Sequence, residues 1–270
     1  MTKIQHADLR SAAISIARDA AAAILRVYER EFDVQAKDDQ SPLTEADLAA
    51  HAIIIKGLTE LTPAVPCLSE EGALPAFDER GRWHRYWLID PLDGTKEFVN
   101  RNGEFTVNIA LIEGGYPVLG VVHVPVTNVT YSGGEKLGGF VQHGDSPEMA
   151  IAVATRCNGP IRVVASRSHR GANLEPWLES LPETAFVPCG SSLKFCYVAA
   201  GEADVYPRFG PTSEWDTGAA QAVAEGAGGR VVTLDGKRLR YNSKESVLNP
   251  FFIVYGPGDQ DWLKAAPDED

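Results

Sequence analysis

The sequence predicts a mixed α/β fold, an α+β N-terminal lobe followed by an α/β C-terminal lobe, from three observations. Two helical apolar patterns open the chain, short apolar runs typical of strands follow, and strands then alternate with helices. With 270 residues, 44% of them hydrophobic, the chain is long enough for a large core. We therefore predict an α+β lobe over residues 1–150 and an α/β lobe over residues 151–270.

The first elements are two helices. Apolar residues recur at helical spacing over residues 7–29, which predicts a long amphipathic helix. Thr44 is suited to cap a second helix over residues 45–60, and Pro63 ends that helix. The N-terminal lobe therefore begins with a helical layer.

The remaining elements follow from short apolar runs and glycine-rich breaks. The predicted strands cover residues 65–68, 86–89, 105–112, 118–124, 162–165, 203–206 and 230–233. The predicted helices cover residues 191–200 and 216–227. The segment 113–117, Glu-Gly-Gly-Tyr-Pro, separates two runs and predicts a hairpin in an antiparallel sheet.

Composition excludes several classes of protein. A formal charge of -12 and a pI near 5.0, without a basic stripe, argue against nucleic acid as a partner. The four cysteines show no CxxC pattern, and no signal peptide or membrane-spanning run is present, so we expect reduced thiols in the cytoplasm. An acidic protein can still bind a phosphorylated small molecule if divalent cations lie between carboxylates and phosphate.

The segment from Asp90 to Thr95, Asp-Pro-Leu-Asp-Gly-Thr, carries the strongest chemical signal. A buried strand ends in Asp90, and Pro91 predicts a turn that brings Asp93 close, with the Leu92 carbonyl as a further oxygen. Such oxygens suit magnesium, although an ordinary surface turn would use the same residue types. The haloacid-dehalogenase motif is one residue shorter, which argues against a covalent aspartate nucleophile.

Further acidic residues lie where predicted elements begin or end. Asp47 could merely complete a capping box, Glu70 and Glu71 could be a solvated loop, and Asp216 could favour a helix N-terminus. Each has this simpler explanation on its own. Together with the central segment, they match what a phosphatase with several metal ions requires.

The chain resembles the inositol monophosphatase superfamily. That resemblance rests on three motifs in the family's order: Ser69-Glu70-Glu71-Gly72, Trp87-Leu88-Ile89-Asp90-Pro91-Leu92-Asp93-Gly94-Thr95 and Trp215-Asp216-Thr217-Gly218-Ala219. The extension Lys96-Glu97-Phe98 and the segments 41–47, 101–110, 166–169, 190–196 and 206–212 are similar to its CysQ-type 3′(2′),5′-bisphosphate nucleotidase branch.

The resemblance implies a layered αβαβα sandwich of the sugar-phosphatase type. It also implies two or three Mg²⁺ ions, inhibition by lithium, and hydrolysis of the 3′-phosphate of adenosine 3′,5′-bisphosphate, with the activated sulfate donor as a further candidate in sulfur assimilation. The metal ligands implied are Glu70, Asp90, the Leu92 carbonyl, Asp93 and Asp216. The catalytic residues implied are Asp47 and Thr95, which orient water, and Glu71, placed behind the ligands.

Substrate contacts are expected from metal ligands, from the residues that follow Asp93 and from the C-terminal lobe. The residues are Glu70, Leu92, Asp93, Gly94, Thr95, His169, Ser191, Ser192, Lys194, Arg208 and Asp216. The alternative for Lys194 is a solvated helix face, and the alternative for His169 is an ordinary loop histidine.

Two other functions stay open at this point. The metal ligands alone do not choose between a nucleotidase and an inositol or sugar phosphatase. A non-catalytic magnesium or nucleotide-binding module would not need the pair Asp47 and Thr95. The expected partner is a small phosphorylated nucleotide. The sequence does not choose between a monomer and a homodimer. Peripheral attachment to the cytoplasmic face of the inner membrane also stays open.

Overall fold

The computed structural model describes residues 5–31, 34–36, 42–155, 159–165 and 173–267. The helices are α1 (His6–Tyr28), α2 (Glu45–Leu61), α3 (Phe77–Arg80), α4 (Thr95–Val99), α5 (Leu174–Glu179), α6 (Leu193–Ala199) and α7 (Gly218–Gly226). The strands of the N-terminal half are β1 (Val34–Ala36), β2 (Pro42–Thr44), β3 (Cys67–Ser69), β4 (Arg85–Asp93), β5 (Thr106–Glu113), β6 (Tyr116–Val124), β7 (Val129–Gly134), β8 (Gly138–His143) and β9 (Met149–Ile151). Those of the C-terminal half are β10 (Ile161–Ala165), β11 (Thr184–Pro188), β12 (Val205–Arg208), β13 (Arg230–Thr233) and β14 (Phe252–Tyr255).

Two sheets organise the chain. A seven-stranded sheet has the order β3-β4-β5-β6-β7-β8-β9, and a five-stranded sheet has the order β11-β10-β12-β14-β13. In the larger sheet β3 and β4 run parallel, whereas the later neighbours pair antiparallel. The predicted β5–β6 hairpin is confirmed. The glycine-rich segment 133–144, which carried no prediction, contributes to the β7–β8 hairpin.

The two faces of the larger sheet bury different layers, because successive side chains of a strand point to opposite sides. Val107 and Ile109 of β5 pack with α1 and α2, while Ala110 and Ile112 pack towards α6 and α7. The five-stranded sheet covers the far side of α6 and α7, and its outer face packs on Trp177 of α5. The layer order is αβαβα, as expected.

The two predicted lobes share one of the hydrophobic clusters of the described residues. The larger sheet ends at β9 and the smaller one begins at β10, close to residue 150. Helix α7, however, lies directly on the N-terminal sheet, where a Cβ on Gly120 would lie 2.0 Å from the Ala219 carbonyl oxygen. Only glycine allows this close approach, which holds the start of α7 against β6. Division into residues 1–150 and 151–270 therefore stays a proposal about chain segments.

Most predicted elements are present, with corrections at several ends. The first two helices are confirmed, and Thr44 caps α2 by accepting a hydrogen bond from the Ala46 N–H at 3.2 Å. Helix α6 begins at Leu193 rather than Ser191, because Ser191 has a φ of 41°, outside the helical region. Helix α7 begins at Gly218, two residues later than predicted. No helix in the described ranges is both long and apolar enough to cross a bilayer.

Candidate active site

Parallel pairing of β3 and β4 brings the first two acidic residues together. Ser69 pairs with Ile89, and the Glu70 N–H continues this pairing by donating to the Ile89 carbonyl at 3.1 Å. The carboxyl ends of neighbouring parallel strands lie at the same sheet edge, so Glu70 and Asp90 project there side by side. Asp90 is only 1% exposed.

The predicted turn at Pro91 is wrong, because β4 continues through it as a bulge. Asp90 pairs with Asn108 and Asp93 with Thr106, so two residues of β4 oppose one residue of β5. In a regular strand, side chains three residues apart point to opposite faces. The extra residue resets this alternation and puts both carboxylates on one face. Proline is tolerated at a bulge because it has no N–H to pair.

Asp216 reaches the same place from the C-terminal half. Its Oδ2 accepts hydrogen bonds from the Thr212 hydroxyl at 2.7 Å and from the Ser213 N–H at 3.0 Å, which fix the carboxylate ahead of α7. Oxygen atoms of Glu70, Asp90 and Asp216 all lie within 4.8 Å of one another. The described residues thus contain an acidic group that could hold a metal ion, and we call these three residues with Asp93 the acidic cluster.

Electrostatics inside the acidic cluster are unfavourable without a cation. Burial, followed by the charges of Glu70, Asp93 and Asp216, raises the pKa of Asp90 well above its usual value. Burial and then the charge of Asp216 raise the pKa of Asp93 to about 7. Burial also raises the pKa of Asp216. Carboxylates held this close need positive charge between them if they are to stay ionised at neutral pH.

Two basic side chains lie beside the acidic cluster. Lys194 is 6% exposed, and its Nζ donates to the Ser191 carbonyl at 2.5 Å, so the alternative of a solvated helix face is wrong. The charge of Lys194 lowers the pKa of both Asp93 and Asp216, and Arg208 lowers that of Asp216. These cations offset part of the repulsion.

Two buried polar atoms nearby have no hydrogen-bond partner in the described part of the chain. They are the Nε of Arg208, whose Nη2 donates to the Pro211 carbonyl, and the hydroxyl of Ser191. A buried polar group without a partner is costly. Both atoms are therefore candidates for contacts with a bound substrate.

Asp47 and Thr95 meet at the helical side of the acidic cluster. Asp47 Oδ2 accepts from the Thr44 N–H at 2.8 Å and from the Thr44 hydroxyl at 2.6 Å, which completes a capping box. Its other oxygen, Oδ1, accepts from the Thr95 hydroxyl at 3.4 Å, and the same hydroxyl lies 3.3 Å from the Leu92 carbonyl. The capping role and the proposed catalytic role use different oxygens of one carboxylate.

A polar network that the motif analysis did not assign holds Asp93. The Ser192 N–H donates to Asp93 Oδ2 at 2.5 Å, and the Asn108 amide lies 3.4 Å from the same oxygen. Asn108 Oδ1 accepts from the Ser192 hydroxyl at 2.9 Å and from the Thr106 hydroxyl at 3.1 Å. The available signal was an asparagine and a threonine two residues apart in an apolar strand, hence on one face.

Three predicted site residues remain to be placed, Glu71, Gly94 and His169. Glu71 lies next to His51. Burial lowers the pKa of His51, and the charge of Glu71 offsets part of this decrease. Gly94 adopts a φ of 88°, where side chains are disfavoured, and caps the start of α4. His169 lies outside the described residues.

Comparison with known proteins identifies the class. The sequence model of the inositol monophosphatase family matches residues 5–261. The chain belongs to the inositol monophosphatase family.

Individual members of the family differ in how similar they are to this chain. The chain is 52% identical over 241 residues to the 3′(2′),5′-bisphosphate nucleotidase CysQ of Escherichia coli K12, covering 88% of this chain and 96% of that protein. The crystal structure of CysQ from Bacteroides thetaiotaomicron is similar with a TM-score of 0.80 and 42% identity, covering 92% of this chain and 96% of that one. The suhB protein of Bartonella henselae, at 22% identity, shares the fold with a TM-score of 0.74 over 92% and 93% of the two chains.

Proposed function

We propose that the protein is a magnesium-dependent 3′(2′),5′-bisphosphate nucleotidase that removes the 3′-phosphate of adenosine 3′,5′-bisphosphate, with AMP and phosphate as products. The observation that carries this proposal is the convergence of Glu70, Asp90 and Asp216 from three distant segments. The two CysQ relatives, at 52% and 42% identity, support the choice of substrate. The activated sulfate donor is a second candidate substrate, and both would place the enzyme in sulfur assimilation.

The donor set fits a hard cation. The groups that would hold Mg²⁺ are all oxygens, from Glu70, Asp90, Asp93, Asp216 and the Leu92 carbonyl, which is the ligand type that magnesium prefers. We propose two or three ions. When bound, Mg²⁺ would neutralise the carboxylates and the substrate phosphate and acidify a water molecule.

The chain's own residues would orient the attacking water. Thr44 holds one oxygen of Asp47, so that the other is directed towards the Thr95 hydroxyl. A hydroxyl that donates to Asp47 has a lone pair left to accept a hydrogen bond from water. Alignment of this kind converts a bimolecular attack into a positioned one. We assign Glu71 a supporting role behind the metal ligands.

The substrate would lie between the acidic cluster and the C-terminal half. Lys194 and Arg208 supply positive charge there, and the Ser191 hydroxyl and Arg208 Nε, which have no hydrogen-bond partner among the described residues, supply donors. The Ser192 N–H, which donates to Asp93, and Gly94, where an added Cβ would lie 3.3 Å from that of Ser191, would line the same place. His169 stays a sequence-based prediction for this subsite.

Phosphate release from a substrate panel tests the proposal. We expect turnover of adenosine 3′,5′-bisphosphate to exceed that of inositol 1-phosphate and fructose 1,6-bisphosphate at least tenfold in kcat/KM, with loss of activity on chelation and inhibition by Li⁺. Preference for inositol 1-phosphate or for fructose 1,6-bisphosphate would favour the inositol or sugar phosphatase instead. Binding of the nucleotide without phosphate release would indicate the non-catalytic module.

We place the protein in the cytoplasm. Cys67, Cys189 and Cys196 are free thiols in the described part of the chain, which suits a reducing compartment. Monomer and homodimer are both compatible with the proposal, because every residue named above comes from one chain.

A further inference from the structure

A basic groove lies in the C-terminal half, formed by residues other than those of the acidic cluster. Its volume is about 710 Å³, which is within the range of small-molecule sites. Its charged lining residues are Asp235, Lys237, Arg238, Arg240 and Lys244. In a chain of net charge -12, a cavity with four basic residues and one acidic residue is unusual.

Two of the four cations are already neutralised. Lys237 Nζ pairs with Asp235 Oδ2 at 2.5 Å. Arg238 forms a two-pronged pair with Glu225, with contacts of 2.9 Å and 2.6 Å. The fixed Arg238 guanidinium shapes the groove but has little charge left for a ligand.

Arg240 and Lys244 supply charge that is not fixed in an ion pair, with Arg240 6.0 Å from the centre of the Tyr116 ring and Lys244 acting electrostatically on Glu214. Both are exposed, and neither forms an ion pair with any residue in the described ranges. The Ser243 hydroxyl lies between them in sequence and also lines the groove. Arginine, lysine and a hydroxyl together are suited to a phosphate group.

The rest of the wall determines what else the ligand carries. Leu234, Pro250 and Leu263 give the groove an apolar side, which inorganic phosphate alone would leave exposed to water. We propose that this groove is a second binding site, for a small organic phosphate of nucleoside monophosphate size, whose phosphate contacts Arg240 and Lys244 and whose flat ring system packs on this side. The site is independent of the proposed catalytic function, because none of its residues belongs to the acidic cluster.

Binding of AMP, measured by isothermal titration calorimetry in the presence of chelator, tests this site. Chelator leaves the acidic cluster without cations, so it repels phosphate and contributes little to binding. The test variant is Arg240→Gln with Lys244→Gln, which removes two exposed charges and keeps an uncharged polar side chain at each position. The matched control is Arg26→Gln with Lys56→Gln, which makes the same charge change at exposed positions of α1 and α2.

We expect the unaltered protein to bind AMP without turnover, the groove variant to bind at least tenfold more weakly, and the control to stay within twofold. Inorganic phosphate should bind at least tenfold more weakly than AMP. No AMP binding by the unaltered protein would overturn the proposal, as would equal weakening in the two variants. Equal affinities for phosphate and AMP would overturn the assignment of an organic ligand. Turnover of the substrate panel is measured separately, so failure here leaves the catalytic proposal standing.

Discussion

The molecule contains two kinds of buried carboxylate that differ in what surrounds them. Asp204 is buried, and it accepts from Arg162 through the backbone N–H at 2.8 Å, Nε at 3.1 Å and Nη2 at 2.6 Å. In the acidic cluster, by contrast, the nearest charges to Asp90 are other carboxylates. Asp204 therefore has its counter-charge and its hydrogen-bond donors within the chain.

The difference separates stability from function. A carboxylate that faces its own arginine stabilises the fold or costs it little, whereas carboxylates that face each other destabilise it. The packed β4–β5 bulge and the start of α7 nevertheless hold the acidic cluster in place. Strong pKa perturbation at a cluster of this kind is typical of functional sites. Lys194 and Arg208 offset only part of the repulsion in the acidic cluster, so we infer that a cation from solution completes it.

Replacement of Asp90 by Asn should give the largest effect on turnover. The amide keeps an oxygen for the Leu92 N–H but removes the charge at the centre of the acidic cluster. We expect the rate of phosphate release to fall on the order of 10³-fold. The melting temperature in chelator should stay the same or rise, because repulsion is relieved. Near-normal turnover, or a large loss of stability in chelator, would contradict this assignment.

The pH dependence of stability should also distinguish the acidic cluster from the carboxylate of Asp204. The pKa of Asp93 is about 7 in the folded protein and near 3.8 when unfolded. Between these values Asp93 holds more protons in the folded state, so the contribution of Asp93 to stability is greatest at low pH and falls as pH rises to about 7.

Thermal unfolding in chelator from pH 5 to 7, compared between the unaltered protein and an Asp93→Asn variant, isolates this contribution. The variant should lose less stability across the interval, by up to about 1.4 kcal/mol per pH unit. Parallel curves for the two proteins would show that Asp93 does not titrate as the structure predicts. Added Mg²⁺ should stabilise the unaltered protein more at pH 7 than at pH 5.

Replacement of Asp204 by Asn should lower stability and leave turnover unchanged, the opposite of what we expect for Asp90. The change weakens three contacts with Arg162 and leaves the acidic cluster untouched. Since the Arg162 side chain is 37% exposed, we expect a moderate loss of about 2 kcal/mol in the free energy of unfolding. Denaturant unfolding measures the loss. The turnover of the folded variant should stay within twofold of the unaltered protein. A larger drop would contradict the assignment of Asp204 to stability alone.

Asn108 should show a smaller effect on catalysis, as a positioning residue. Asn108→Ala removes the amide beside Asp93 and the acceptor for the Ser192 and Thr106 hydroxyls. We expect turnover to fall about tenfold and the Mg²⁺ concentration for half-maximal activity to rise several-fold. Thr130→Ala is the control, because it breaks a buried bond to His123 in the same sheet. An unchanged Mg²⁺ requirement in Asn108→Ala would leave that residue a purely structural role.

Apolar spacing and capping signals predicted the two N-terminal helices, and the family resemblance implied the layer order and the convergence of Glu70, Asp90 and Asp216. They did not predict how β4 brings Asp90 and Asp93 to one face, because proline after aspartate is more typical of a turn than of a bulge. Register against β5 decides between these, and register depends on residues distant in sequence.

The C-terminal contacts were harder to predict for a related reason. Lys194 lies at a position that a short helix could present either to solvent or to the core, and packing of α6 between two sheets buries it. The left-handed backbone of Ser191 is equally a product of its surroundings, since serine rarely adopts it by preference. Both features arise from tertiary contacts.

Anomalous diffraction from crystals grown with Mn²⁺, which takes the same oxygen ligands as Mg²⁺, tests the central claim most directly. The account predicts a strong peak bounded by oxygens of Glu70, Asp90 and Asp216, and loss of that peak in Asp90→Asn crystals. Absence of a peak among these residues at saturating Mn²⁺, with their carboxylates ordered as described, would contradict it.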